Sequence, residues 1–244
     1  MLPTNGLLGR SISDVPVAVL DFETTGTWAG PDRVVEVSVV RVEPGRGPEL
    51  VLDTLVNPSR RMGCTYVHGI TDRDVVDAPR FDQVAGHLLR AISGCVVAAY
   101  NASFDVRFLE VELRRVGVGH AFPHLCLMYL RPMLGLGKHC KLSAACWAHG
   151  IPLGRAHTAA SDALAAAGLW TVYRKEITDR NIRTFAELAA VKRYKFTGTF
   201  DRLPHTSGPT EPAPTQLRPR RPGSTVATVA SSGQRTSGVQ SPCT

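Results

Sequence analysis

The sequence predicts an α/β protein whose mixed sheet of five strands is flanked by helices. Three Val- and Leu-rich segments follow one another within the first 56 residues and are joined by short polar or Gly- and Pro-containing links. Links this short favour antiparallel neighbours. Farther along the chain, apolar runs of strand length alternate with segments of helical periodicity. This alternation adds two parallel strands to the sheet.

Each element follows from composition and periodicity. Apolar runs bounded by Gly, Pro or Asn predict strands, and apolar residues spaced three or four apart predict helices. The predicted strands cover residues 17–23, 34–40, 50–56, 95–100 and 122–127. The predicted helices cover residues 81–92, 101–116, 141–147, 159–173 and 183–191.

Composition divides the chain into three segments. Residues 1–14 lack periodicity and are predicted to form a flexible leader, whereas residues 15–203 contain all the predicted elements and form the domain. From residue 204 onward Pro, Ser, Thr, Gly and Arg dominate. Such a segment buries too little apolar surface to offset the entropy lost on ordering. Residues 204–244 are therefore predicted to be a disordered Pro/Ser/Arg-rich tail.

The overall composition is that of a folded and basic protein. Hydrophobic residues make up 43% of the 244 residues, and the net charge is +7, which permits an anionic partner without identifying one. No apolar run approaches the ~20 residues that cross a membrane, and the first residues lack the pattern of a secretory signal. We therefore expect no membrane partner and a cytoplasmic location, in which the six cysteines stay reduced.

Two acids, Asp21 and Glu23, lie at the end of the first predicted strand. Because side chains alternate along a strand, both carboxylates lie on the same face. Neighbouring carboxylates repel and raise each other's pKa unless a cation lies between them. The pair therefore indicates a metal site, although a strand that ends in two solvated acids explains the pair alone equally well.

Three residues farther along the chain are candidates to join this pair. Asp105 lies in the first turn of a helix that follows a buried strand, where an acid can simply complement the helix dipole. Asp162 lies on an alanine-rich helix, and His157 precedes it by five residues. Taken singly, Asp162 is an ordinary solvated acid and His157 an ordinary structural or surface histidine. Their order along the chain is the stronger signal.

Together these motifs resemble those of the DnaQ-like family of DEDDh 3′-to-5′ exonucleases, which includes the ε subunit of bacterial DNA polymerase III and ribonuclease T. The matching motifs are, in order, Asp21-x-Glu23-Thr24-Thr25-Gly26, Val67-His68-Gly69-Ile70-Thr71, Asn101-x-x-Phe104-Asp105 and His157-x-x-x-x-Asp162. A single motif of this kind is a weak signal, but several in the right order are specific. The resemblance covers residues 15–173.

The resemblance implies a ribonuclease H-like fold and a site for two divalent ions, Mg²⁺ or Mn²⁺. The implied metal ligands are Asp21, Glu23, Asp105 and Asp162, and the implied general base is His157. These residue types suit the chemistry, because hard cations prefer oxygen ligands and a pair of them stabilises charge on the oxygens of a phosphodiester. An imidazole that titrates near neutrality suits the proton transfer.

The resemblance also implies substrate contacts around the turn that follows the first strand. The predicted substrate-binding residues are Phe22, Thr24, Thr25, Gly26, His68, Asn101 and Phe104. A structural role explains several of them as well: the two phenylalanines as core aromatics, Asn101 as a helix N-cap and His68 as a locally packed loop histidine.

The implied activity is metal-dependent 3′-to-5′ exonucleolysis that releases nucleoside monophosphates from single-stranded or frayed 3′ ends. DNA is the favoured nucleic acid, proofreading or repair the favoured role, and a DNA polymerase a candidate partner. The alternatives are an RNA 3′-end-trimming enzyme of the same fold and a non-catalytic nucleic-acid-binding module. Deletion of the predicted tail is expected to leave activity on short oligonucleotides intact.

A zinc site offers a rival interpretation of the middle of the chain. Its candidate ligands are His139, Cys140, Cys146 and His149. Their spacing does not match that of common structural zinc sites, so buried thiols are the favoured interpretation.

Overall fold

The computed structural model describes residues 6–119, 121–154, 157–191, 200 and 216–220. At its centre is a five-stranded sheet of order β3-β2-β1-β4-β5. The strands are β1 Val17–Thr24, β2 Val34–Val42, β3 Pro48–Leu55, β4 Val96–Ala99 and β5 His124–Cys126. β1 pairs antiparallel with β2, as β2 does with β3, whereas β4 runs parallel to both β1 and β5. The predicted α/β fold class, with its mixed five-stranded sheet, is confirmed.

Helices cover this sheet. They are α1 Thr65–His68, α2 Asp72–Val75, α3 Phe81–Ile92, α4 Ala102–Arg115, α5 Leu127–Met133, α6 Leu142–Ala148, α7 Ala159–Asp179 and α8 Phe185–Ala190. Almost every residue of β1 and β2 is buried, so the sheet is the central layer. α7 lies across β1, β2 and β3, and α3 and α4 also contact the sheet. Within the described part of the chain, no helix combines the length and apolarity that crossing a membrane requires.

Four helices differ from the sequence prediction: α7 is longer than predicted, and the short helices α1, α2 and α5 were not predicted. α7 continues beyond residue 173 to Asp179, because Ile177 is buried and a salt bridge one turn apart joins Lys175 to Asp179. α5 was not predicted, since its seven residues are too few for a periodic pattern and contain Pro132, which argues against a helix.

The start of the chain corrects the predicted flexible leader for residues 6–14. Leu7 and Ile12 are buried in the core, and the backbone N–H of Ile12 donates to the carbonyl oxygen of Arg183 at 2.8 Å. These residues are therefore part of the domain. Residues 1–5 of the predicted leader lie outside the described residues.

Five residues of the predicted tail also lie against the domain. The backbone N–H of Arg218 donates to the Thr54 hydroxyl at 2.9 Å, and its carbonyl accepts from the N–H of Leu55 at 2.8 Å. Predicted disorder does not hold for residues 216–220, because composition does not reveal hydrogen bonds to the edge strand β3. We call residues 216–220 the docked segment. Residues 201–215 and 221–244 lie outside the described residues.

Candidate active site

β1 presents the first two acids at its carboxyl end. Glu23 is 9% exposed and Asp21 is partly exposed. They are two residues apart on one strand, so their side chains share a face, as predicted. Glu23 lies directly opposite Glu36 in the antiparallel pairing with β2, which brings a further carboxylate to the same place.

Asp105 reaches this cluster from the first turn of α4. β4 runs parallel to β1, so the helix that follows β4 begins near the end of β1. The Asp105 side chain is 4% exposed, and its Oδ1 accepts a hydrogen bond of 3.2 Å from the backbone N–H of Phe22, the residue between the two β1 acids. Asp105 is therefore fixed directly onto the strand that carries Asp21 and Glu23.

Asp162 and His157 complete the group at the start of α7. The backbone N–H of His157 donates to Asp162 Oδ2 at 3.3 Å. His157 has a φ of 60°, in the left-handed region, which costs a residue with a side chain about 1–2 kcal/mol. One ligand atom from each of Glu23, His157 and Asp162 lies within 4.8 Å of the others. The structure thus brings together all five predicted catalytic residues.

Burial and mutual repulsion raise the pKa of the clustered acids. Burial, and then the charges of Asp105 and Glu23, raise the pKa of Asp21 well above its ordinary range. Burial and the neighbouring carboxylates raise the pKa of Glu23 to about 8, and burial raises that of Asp105 to about 7. Burial also raises the pKa of Asp162. Because burial and repulsion disfavour the ionised form of these acids, the cluster needs a compensating positive charge.

The donor set fits divalent hard cations. Carboxylate oxygens are the ligands that Mg²⁺ and Mn²⁺ prefer, and four carboxylates at the end of β1 lie close enough to act on one another electrostatically. Among the described residues, Glu23, His157 and Asp162 are the one His/Cys/Asp/Glu group with ligand atoms close enough to share an ion. The rival zinc set at 139–149 forms no such group among those residues.

Glu36 is a member of the cluster that sequence reasoning missed. Its side chain is 1% exposed, Oε2 accepts from the backbone N–H of Ala159 at 3.2 Å, and Oε1 has no hydrogen-bond partner. Burial raises its pKa to about 7. A lone acid inside the apolar run of residues 34–40 was a signal that could have pointed to it.

Arg220, in the docked segment, was missed as well. Its guanidinium donates to the carbonyl oxygens of His157, at 3.0 Å, and of His68. Nη1 also lies 3.6 Å from Glu36 Oε2, with only 8% of the arginine side chain exposed. Nothing in the surrounding Pro- and Arg-containing sequence distinguishes this arginine from its neighbours.

The predicted substrate-binding turn is held by its own side chains. Thr24 donates from Oγ1 to the carbonyl oxygen of Gly26 at 2.7 Å. Thr25 donates from Oγ1 to Asp32 and accepts from the backbone N–H of Arg33, and its own N–H donates to the carbonyl of Arg33. A Cβ at Gly26 would overlap the Asp32 carboxylate, so the turn needs glycine there. The threonine hydroxyls therefore shape the turn.

The other predicted substrate-binding residues have varied surroundings. Phe22 is 4% exposed and lies in the core, whereas Phe104 is partly exposed and its ring lies 4.9 Å from that of Phe108. Asn101 precedes α4, is partly exposed and makes no side-chain cap. Asn101 and Phe104 are thus the members of this set with side chains open to a ligand.

His68 is buried and its ring is used inside its own loop. Nδ1 accepts from the backbone N–H of Ile70 at 3.0 Å, which leaves the proton on Nε2, 3.2 Å from the carbonyl oxygen of Gly63. Burial lowers the pKa of His68. These contacts favour the structural alternative for this residue.

The raised pKa values predict how stability depends on pH without metal. The folded acids bind protons that the unfolded chain has already released, so stability present below about pH 4.5 is lost as pH rises towards 8, through the folded pKa of Glu23. In EDTA we expect the melting temperature to fall by roughly 5–10 °C between pH 5 and 8. Calorimetry should show a smaller fall of the melting temperature when Mg²⁺ is present at a saturating concentration of about 5 mM. A melting temperature in EDTA that stays level or rises from pH 5 to pH 8 would contradict the raised pKa values of these acids.

Comparison with known proteins relates this chain to exonucleases. Residues 18–170 match the RNase_T family model, described as exonuclease. A DNA polymerase III subunit epsilon-like protein of Rhodobacter capsulatus is 33% identical over 205 residues, 77% of this chain but 29% of that protein. DNA polymerase III subunit epsilon of Treponema pallidum is 32% identical over 163 residues, 64% of this chain and 75% of that protein.

Solved structures agree on the fold. E. coli Exonuclease I, in complex with a dT13 oligonucleotide, has a TM-score of 0.58 at 17% identity and covers 68% of this chain and 42% of that one. A 3′-exonuclease described with a histone mRNA stem-loop has a TM-score of 0.57 at 16% identity, over 72% and 85% of the two chains. The predicted ribonuclease H-like architecture and the DnaQ-like resemblance are confirmed. By sequence and by fold, this chain belongs to the RNase_T exonuclease family.

Proposed function

We propose that this protein is a metal-dependent 3′-to-5′ exonuclease of the DEDDh type that releases nucleoside monophosphates from single-stranded or frayed 3′ ends. The observation that carries the proposal is the convergence of four carboxylates and a histidine from three separate elements at one end of β1. A purely structural role does not explain these acids, because carboxylates that are buried together without a cation are unfavourable, as their raised pKa values indicate.

Asp21, Glu23, Asp105 and Asp162 would hold two Mg²⁺ or Mn²⁺ ions. When bound, such ions supply positive charge beside the scissile phosphate and lower the pKa of water. Asp21 would be the central ligand, because every other acid of the cluster acts on its pKa. Asp105 would be a rigidly held ligand, since one of its oxygens is already fixed by the N–H of Phe22.

His157 would act as the general base at the rim of the acid cluster. Its side chain is exposed, so it can exchange a proton with solvent after each turnover. Asp162 fixes the backbone of this residue through the 3.3 Å hydrogen bond to its N–H. The histidine is therefore held beside the acids by one of them.

DNA is the substrate we favour, because the relatives similar in sequence to this domain include proteins named as DNA polymerase III epsilon subunits. Those names also support a DNA polymerase as partner, and we propose a cytoplasmic location. The chain spans 29% of the length of the Rhodobacter relative and 75% of the Treponema one, so these are proposals about the whole protein. The net charge of +7 suits an anionic polymer.

A substrate comparison tests the proposal. Oligonucleotides labelled at the 5′ end, as single-stranded DNA, single-stranded RNA and a mismatched primer-template, are incubated with full-length protein and Mg²⁺. We expect single-stranded and mismatched DNA to shorten from the 3′ end, with nucleoside monophosphates as products. EDTA should stop the reaction, and excess Mg²⁺ or Mn²⁺ should restore it.

Three outcomes separate the alternatives. Faster shortening of RNA would support the RNA-trimming function instead. Binding of every substrate without hydrolysis would support the non-catalytic module. Activity that persists in EDTA would contradict the metal-dependent site itself.

A further inference from the structure

The docked segment places an arginine in the acid cluster, and this arginine belongs to none of the motifs that define the site. Its anchor is the last part of the edge strand β3, where Thr54 and Leu55 make the two backbone hydrogen bonds to Arg218. Leu217 packs against the hydrophobic core, and Arg218 reaches outward to Asp77 at 3.2 Å. The backbone of Arg218 and the side chain of Leu217 thus hold the segment in place just before Pro219.

Arg220 bridges three parts of the site. Its guanidinium contacts the carbonyl oxygen of His68 at the end of α1, the carbonyl oxygen of His157 before α7 and the carboxylate of Glu36 on β2. The side chain is 8% exposed, and both Nη1 and Nη2 take part in these contacts. A guanidinium suits this task because its planar fork of donors can serve several acceptors at once.

The contact with His157 bears on catalysis. His157 has a left-handed backbone, and its N–H is held by Asp162. Its carbonyl oxygen is held by Arg220. The peptide groups on both sides of the histidine are therefore tied, one to an acid of the cluster and the other to the docked segment, which fixes the direction of the imidazole.

The contact with Glu36 balances the charge of the site. Four carboxylates would be matched by two divalent ions, and Glu36 is a fifth carboxylate within the same buried space, opposite Glu23. Its Oε1 has no hydrogen-bond partner. A cation beside Glu36 keeps this extra carboxylate from competing for the ions.

We propose that Arg220 is a positioning residue of the active site, which clamps the turn that carries His157 and neutralises Glu36 from the docked segment. This inference rests on the proposed nuclease function. It reverses the expectation from the sequence, because removal of residues 204–244 now removes a part of the site. Catalysis would then depend on a segment outside the residues that match the exonuclease family model.

The test compares Arg220→Gln with Arg218→Gln in the full chain. Arg218 is the matched control, since it lies in the same segment but its salt bridge is at the surface. We expect Arg220→Gln to lower kcat on single-stranded DNA by about 10–100-fold, because a misplacement of ~1 Å can cost 10²-fold, with KM changed by less than about threefold. Arg218→Gln should stay within about twofold of the wild type.

A second pair of variants separates positioning from folding. Arg220→Lys restores a cation but replaces the planar fork of donors with one compact ammonium. Glu36→Gln combined with Arg220→Gln removes the buried charge. Both variants should have a melting temperature closer to that of the wild type than Arg220→Gln alone has, whereas their kcat should stay as low as in Arg220→Gln. Recovery of full kcat in the double variant would show that Arg220 is only a counter-ion, and a faster rate in Arg220→Gln would show that the docked segment inhibits. Either result overturns the proposal.

A spectroscopic measurement keeps the two proposals distinguishable. In metal-free protein labelled with ¹⁵N-histidine, the ring resonances of His157, identified with His157→Asn, should shift in Arg220→Gln and stay in place in Arg218→Gln. Unchanged resonances would overturn the positioning role whether or not the protein is a nuclease. A wild type without nuclease activity would instead contradict the proposed function.

Discussion

Replacement of Asp21 by Asn is expected to lower the rate of 3′-nucleotide release by about 10³-fold or more, since metal-ion catalysis contributes several kcal/mol and each 1.4 kcal/mol is tenfold. Asp21 lies at the centre of the cluster: Asp105, Glu23, Asp162 and Glu36 all act on its pKa. Asparagine keeps the shape of the side chain and removes the charge that would hold the ions. Single-turnover assays with saturating Mg²⁺ measure the effect.

Asp82→Asn is the matched control for this change. Asp82 is an exposed acid on α3 that pairs with Arg80 at the surface, so its loss should leave the rate within about twofold of the wild type. Asp21→Asn should also raise the melting temperature of the metal-free protein at pH 8, because it removes a negative charge from a repulsive cluster. A turnover of Asp21→Asn within tenfold of the wild type (roughly 1.4 kcal/mol) would contradict a ligand role for this residue.

The second large loss is expected for His157→Asn, by about 10²–10⁴-fold in kcat, the usual contribution of a general base. Asparagine tolerates the left-handed backbone that His157 adopts, so the turn is kept while the imidazole is lost. His139→Asn is the control, because His139 is exposed and contacts the ring of Tyr129 away from the acids.

Metal binding tells whether His157 acts as a base or as a ligand. Its ring lies close enough to Glu23 and Asp162 to share an ion with them. As a base, the His157→Asn protein should bind Mn²⁺ with unchanged affinity in isothermal titration while turnover falls. A parallel loss of Mn²⁺ affinity would identify the histidine as a ligand, and unchanged turnover would exclude it as the base.

Most of the fold was predictable because its signals are local. The strand that carries Asp21 and Glu23 is a Val-rich run that ends in a turn, and α3 and α4 carry regular apolar periodicity. α5 was missed because it is short and contains Pro132. The strand directions followed from connection lengths, since short links favour antiparallel neighbours and helical crossovers give parallel ones.

The candidate site was predictable only in part. The five motif residues could be named because their types and order match a family, and the structure brings them together. Glu36 was missed because its position opposite Glu23 is known only once the register between β1 and β2 is known. Arg220 was missed because its position depends on hydrogen bonds between residues about 164 apart in sequence, which local pattern does not encode.

The side chains around the site also show what a sequence pattern leaves open. His68 and Thr25 are predicted to contact substrate, and the polar atoms of both side chains make hydrogen bonds within the protein. A motif residue can be required for the shape of a loop as well as for contact with a ligand. Only the partner of each donor and acceptor separates these roles, and the sequence does not supply it.

The most direct test of the proposed site is to count the Mn²⁺ ions that the full-length protein binds in the presence of excess nucleoside 5′-monophosphate, by isothermal titration with Asp21→Asn in parallel. Four interacting carboxylates should hold two ions per chain in the wild type, and Asp21→Asn should lose at least one of them. A wild type that binds no Mn²⁺, or an Asp21→Asn protein that binds as many ions as the wild type with equal affinity, would contradict the two-ion site.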